Sequence, residues 1–249
     1  QLVSSSAEVL IVTLRPVTVR ETMTITATRT PQPVEGAPSA VVVLSQKALQ
    51  RSPALTLDDT LRQVPAFSLF RRSSSLVAHP TTQGVSLRGI GPSGVSRTLV
   101  LWDGIPLNDP FGGWVYWSQL DNNSLEQVEI ASGGGSSLYG SSALGGVIQV
   151  FSRLPEANHF ELDVLGGSQA TGGADFLGSA VHGPWSGNFS GSFLHTDGYF
   201  IVVPPVRGLV DDRAGSVHYA LRAGGFYKPG NGRSLFLQAN HFAEDRDNG

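Results

Sequence analysis

From Phe160 onward, apolar and polar side chains alternate with a two-residue period. Phe160, Leu162 and Val164 flank Glu161 and Asp163. Phe189, Gly191 and Phe193 flank Ser190 and Ser192. Val217, Tyr219, Leu221 and Ala223 flank His218, Ala220 and Arg222, and Leu235, Leu237 and Ala239 continue the pattern. A period of two places successive side chains on opposite faces of a strand. Turn-formers separate the runs at 168–173, 183–187 and 229–232, which makes about five strands. Alternating segments of roughly ten residues closed by turns fit a membrane β-barrel, and they fit a soluble β-sandwich equally well. Trp185, Tyr199, Phe200, Phe226 and Tyr227 fall near strand ends, where a barrel carries its aromatic girdle.

The preceding stretch, about 40–153, has a different texture and predicts a compact α+β unit. Val41–Leu44 reads as a strand, with Ser45 placed to cap a short helix. Thr56 and Asp59 form a capping-box pattern ahead of Leu57, Leu61 and Val64, which share one helical face, and Pro65 stops that helix. Further strands are expected at 85–88, 99–102, 128–131 and 147–151, divided by Asp103-Gly104, Asn108-Asp109-Pro110 and Gly133-Gly134-Gly135. Upstream, residues 8–14 and Glu21–Ala27 (Glu21, Thr22, Met23, Thr24, Ile25, Thr26, Ala27) are strand-like. Pro31, Pro33, Gly36 and Pro38 then mark an extended linker.

Composition narrows the chemistry. Charged residues make up 15% of 249 and the formal net charge is −3, with no block of Lys or Arg, so a phosphate-neutralising surface has no footprint. Cysteine is absent, which removes disulfides and thiolate metal sites. No apolar run reaches the roughly 18 residues of a membrane helix, a test that alternating barrel strands escape. Gly89–Gly94 fits the spacing G-x-G-x-x-G, but Pro92 interrupts it and a β-rich run follows instead of a helix. The run 135–142 has Ser141 where a phosphate-binding loop needs lysine. His182, His195, His218 and His241 lie at strand spacing rather than as a metal cage. No hydrolase or zincin signature occurs, so neither a catalytic residue, a cofactor nor a metal is expected.

Val85-Ser-Leu-Arg-Gly-Ile-Gly91 with Arg97-Thr-Leu-Val-Leu-Trp-Asp-Gly-Ile-Pro-Leu-Asn108, and Leu125-Glu-Gln-Val-Glu-Ile130 with Ser137–Val150, resemble the plug domain of TonB-dependent outer-membrane receptors. Glu21–Ala27 resembles that family's TonB box, and residues 8–16 resemble the tail of a carboxypeptidase-regulatory-like extension. The chain departs from the family at Ala131-Ser132-Gly133-Gly134, where an Arg-Gly-Pro is usual. The resemblance implies an α+β plug domain followed by antiparallel β-strands of an incomplete transmembrane β-barrel. Its segments would be an extension tail at 1–16, TonB box and linker at 17–35, plug at 36–153 and barrel strands at 154–249.

What the resemblance implies for function is energised uptake of a scarce nutrient complex, a ferric siderophore or cobalamin, at the bacterial outer membrane. TonB, the ligand chelate and outer-membrane lipid would be its partners, and nucleic acid would not. Residues 21–27 would bind TonB by strand addition. The ligand would meet two plug apices: Arg71, Arg72 and His79 in the first, Phe111, Trp114, Tyr116 and Trp117 in the second. Arg88 and Arg97 would pair with carboxylates of the barrel lumen. The alternative is a soluble periplasmic or surface-exposed β-rich binding module.

Overall fold

A computed structural model describes residues 23–90, 96–230, 232–247 and 249. The expected strand at 8–14, residues Glu21 and Thr22, and most of the glycine turn 89–94 lie outside them. In chain order the strands are β1 (Met23–Thr24), β2 (Gln32–Pro33), β3 (Ala40–Ser45), β4 (Phe67–Leu69), β5 (Val85–Leu87), β6 (Thr98–Trp102), β7 (Ile105–Pro106), β8 (Leu125–Ser132) and β9 (Gly146–Ser152). Then follow β10 (His159–Gly166), β11 (Gly172–His182), β12 (Trp185–Phe200), β13 (Arg213–Tyr227) and β14 (Leu235–Arg246). Three short α-helices among the described residues, α1 (Gln46–Gln50), α2 (Leu57–Leu61) and α3 (Ser136–Tyr139), all precede β9.

The first unit is built on a five-stranded sheet of order β3-β8-β9-β6-β7, in which only β6 and β9 run parallel. Val100, Val128, Ile130, Ile148 and Val150 from its central strands meet Leu49 of α1 and Leu57 and Leu61 of α2 in one apolar core. The hairpin pair β4-β5 and Trp117 close that core, Trp117 edge-on to Phe67 at 6.1 Å between ring centroids. The expected capping box forms in altered form. The Thr56 hydroxyl donates to Asp59 at 3.2 Å instead of accepting from a backbone amide. At the β6-β7 turn, Asp103 and Gly104 both take positive φ (49° and 87°), as a tight hairpin with right-handed twist requires.

The second unit is a five-stranded antiparallel meander, β10-β11-β12-β13-β14. Its register sets Phe160, Gly178, Phe189, Ala223 and Ala239 in one row across the sheet. The next rows on the same side are Leu162, Phe176, Gly191, Leu221 and His241, then Val164, Ala174, Phe193, Tyr219 and Ala243. The opposite face is polar and turned towards the first unit, with Ser190, Ser216, His218 and Arg222 all buried there. Trp185 stacks with Tyr227 at 4.4 Å between centroids at one end of the sheet. At the other end lies the longest connection, 201–212, with Leu209 and Val210 fully exposed. The sheet does not close, because β10 and β14 each pair on one side only.

Candidate functional site

The seam between the two units is the first part of the site. Asp103, fixed in its left-handed turn, accepts from the backbone N–H and hydroxyl of Ser152 (both 2.9 Å) and pairs with Arg222 of β13. The Arg222 guanidinium also lies over the Trp102 ring, 4.4 Å from its centroid. Nearer the β9-β10 connection, Arg153 pairs with Glu161 at 2.8 Å, and Asn123 donates to Asp163 at 3.0 Å. At the far end Leu76 and Val77 insert beside Leu165, Leu194 and Ala214 of the meander. None of these seam residues belongs to the expected pair Arg88 and Arg97. Those two are exposed, and among the described residues no ion pair involves either. Arg222 of β13, Arg246 of β14 and Arg153 of the β9-β10 connection supply the seam cations; the first two lie on alternating strands, which is the signal the sequence carries for them, and Arg153 has none.

Asp121, beside this seam, is only partly exposed and its Oδ2 is sealed from solvent without a hydrogen-bond partner. Burial, reinforced by the nearby Asp175 charge, pushes its carboxyl up to about 7.

The segment resembling a TonB box is docked. Thr24 and Thr26 are buried, and the fully buried Glu129 of β8 receives their donors. Its carboxylate accepts from the Thr24 hydroxyl at 2.7 Å, from the Ile25 N–H at 2.9 Å and from the Thr26 N–H at 2.8 Å. The Tyr139 hydroxyl donates to the Thr26 carbonyl at 3.0 Å, and the Arg29 guanidinium lies over the Tyr139 ring at 4.5 Å. The expectation of an extended run to Ala27 is therefore corrected. Among the described residues of the segment, Met23–Thr24 alone is strand, paired with β2, and the chain then turns, with the Arg29 N–H donating to the Ile25 carbonyl at 2.7 Å. A carboxylate gathering successive amides favours such a turn in the way an N-cap does.

The two expected ligand apices divide between structural and exposed roles. Arg71 does not present its charge outward: its guanidinium pairs with the fully buried Asp58 and donates to the Ser73 carbonyl. Trp117, 0% exposed, is core, and its indole N–H donates to the Gln83 carbonyl at 3.4 Å. Each correction has its own reason: the buried Asp58 needs a cation, and Trp117 packs into the apolar core against Phe67. Trp114 is half-buried, folded onto Gly112, where a Cβ would lie 1.5 Å from its ring. Arg72 and His79 are exposed, and Phe111 stands 96% exposed at the tip of the 108–115 hairpin. That hairpin is held stiffly by Asn108, which accepts from Val100 N–H at 2.7 Å, and by Asp109, which accepts from the N–H groups of Phe111 and Gly112 at 2.9 and 2.7 Å.

His79, Pro80 and Tyr116 come together with Phe242, Ala243, Glu244 and Arg246 of β14 around an open cleft. Tyr116 lies against Phe242, 6.3 Å between centroids. The β14 side of this cleft has no counterpart in the residues selected from the sequence.

Comparison with known proteins agrees with this architecture. Residues 33–147 match the model of the TonB-dependent receptor plug domain. The chain is 30% identical over 188 residues to the vitamin B12 transporter BtuB of Vibrio vulnificus, an alignment covering 74% of this chain and 29% of that protein. It is 26% identical over 223 residues to the ferrioxamine receptor of Yersinia enterocolitica, covering 88% of the chain and 29% of that receptor. Among solved structures, the unliganded ferric citrate transporter FecA superposes with a TM-score of 0.69 at 18% identity, over 86% of this chain and 32% of FecA. The chain carries the plug domain of the TonB-dependent receptors, followed by antiparallel strands like the opening strands of their barrel. It spans about 29% of the length of these curated relatives.

Proposed function

We propose that the chain belongs to an outer-membrane receptor that takes up a ferric siderophore or cobalamin on energy delivered through TonB. The observation that carries this reading is the two-faced meander. One face is polar and clasps the plug through Arg222 and Asp103; the other presents rows of Phe, Leu, Val and Tyr. A sheet that is apolar away from its own folded partner fits a lipid boundary. The plug fills the lumen side, and on this reading the end with the 201–212 connection faces outward, since barrels carry their longer loops outside. The cleft lined by His79, Tyr116 and Phe242 then faces the incoming ligand.

TonB engages residues 21–27 on this reading by adding a strand, which needs free main-chain donors. Glu129 holds two of those donors, from Ile25 and Thr26, so the docked segment is unavailable until it lets go. Uptake by the full-length receptor tests the reading. Cells relying on it should accumulate iron from ferric enterobactin or ferrioxamine, or radiolabelled cyanocobalamin, only when TonB is present. Equal accumulation with and without TonB for all three would refute it.

A further inference from the structure

One ion pair on β14 lines the cleft. Arg246 Nη2 contacts Glu244 Oε1 at 2.5 Å, and both side chains are nearly buried, at 7% and 6% exposure. From that pair two arms reach into the plug. Arg246 Nη1 donates to the carbonyls of Ser75 (2.5 Å) and Ala78 (3.1 Å). The plug's own Gln83 side chain donates to the same two carbonyls, at 3.2 and 3.0 Å. The 75–78 turn is thus gripped from inside by the plug and from outside by the barrel. His79, the next residue, lines the cleft. The second arm is Glu244 Oε1, which accepts from the Ser118 hydroxyl at 2.6 Å. Ser118 stands two residues after Tyr116, the opposite wall of the cleft.

We infer that the Glu244–Arg246 pair is the positioning element of this cleft, setting the His79 wall against the Tyr116 wall by holding one plug loop with each partner. The inference rests on the reading of the cleft as the ligand's entrance. The grip needs the guanidinium in particular. A planar fork can serve two carbonyls and a carboxylate together, whereas an ammonium on a flexible stem is a point donor with more freedom to lose. Nearly buried groups also feel little screening, so the link persists at ordinary salt. A simple structural ion pair would be indifferent to lysine, whereas a positioning pair would not be.

Two spin-label distances in the detergent-solubilised full-length receptor test this directly. Labels at Arg72 and Val217 report the first loop against the barrel, and labels at Phe111 and Val217 report the second; all three positions are exposed. Each pair should give one narrow distribution in the parent protein. R246A should broaden the first, R246K should restore it only in part, and S118A should broaden the second alone. Temperature-dependent electrophoretic mobility keeps watch on barrel folding in every variant. Narrow, unshifted distributions in a folded R246A protein would overturn the inference. Binding of ferric enterobactin, ferrioxamine and cyanocobalamin to unlabelled R246A separates the two readings. At least a tenfold loss for the bound probe is expected. Unchanged binding alongside broadened distances would leave the positioning role standing and remove the cleft as ligand site.

Discussion

Trp117 and Phe111 sit six residues apart in one loop and do opposite work. Trp117 fills the core against Phe67, so Trp117→Ala in a plug fragment should cost about 3–5 kcal/mol in urea denaturation. Phe111→Ala should stay within about 0.5 kcal/mol, since its ring touches solvent, and should weaken ligand binding to the full receptor instead. Loss of stability in the second variant would contradict the assignment. Sequence alone could not part these two, because both are aromatics in one turn-rich stretch and only the void beneath β4 and β5 distinguishes them. Arg71 hides the same lesson: two adjacent arginines look alike until the buried Asp58 takes one. Asp121 gives a pH test. Its folded carboxyl titrates near 7, above the ordinary 3.8, so the unfolded chain ionises first as pH rises. Stability should therefore fall between about pH 4 and 7 and level off above. Asp121→Asn keeps an acceptor for the Asn123 N–H and should flatten that fall in calorimetry. An unaltered pH profile would show that another group is responsible.

At the scale of elements, most plug strands are legible because each is a short apolar β-branched run between turn-formers, as in Val41–Leu44 and Val147–Phe151. The five barrel strands follow from the two-residue period, although their registers do not; Thr196 to Tyr199 carries a bulge that no alternation announces. Residues 23–27 depart from the expected strand for a different reason. Their β-propensity is genuine, but a carboxylate about 100 positions away holds the amides in a turn. The element is docked on Glu129, and on the proposed reading TonB binding requires it to leave that carboxylate and extend along a partner strand. Glu129→Gln removes the charge from three hydrogen bonds, each worth about 1.5–3 kcal/mol when charged. It should raise the affinity of the ligand-free receptor for the periplasmic domain of TonB by roughly tenfold in calorimetric titration. Proline at Met23 or Ile25 should abolish that binding by removing a ladder donor, while Thr24→Ser keeps its hydroxyl for Glu129 and should be silent. Binding that survives both prolines would rule out strand addition here.

At the scale of the whole molecule, the two units place opposite demands on solvent. The plug buries a core of Leu, Val, Ile and Trp side chains among its own helices and sheet. The meander buries little of its own. Phe160, Leu162, Val164, Leu235 and Leu237 are exposed, and β10 and β14 each leave an unpaired edge. Exposed apolar rows next to free edges template pairing with other chains. In detergent-free buffer residues 1–249 should therefore associate or be trimmed by protease near Pro155, where the plug core ends and the alternation has not begun. Residues 36–153 should elute as a monomer and resist the same protease. Their weak point should be the 74–78 turn, since Leu76 and Val77 lose the cover of Leu165, Leu194 and Ala214 when the meander is removed. The first cleavage within the fragment is expected there. A soluble β-rich module makes the reverse forecast, because its meander would complete a sandwich and shield the whole chain. Size-exclusion chromatography with limited proteolysis decides between them. A monomeric, protease-resistant 249-residue chain without detergent would end the membrane reading of the second unit.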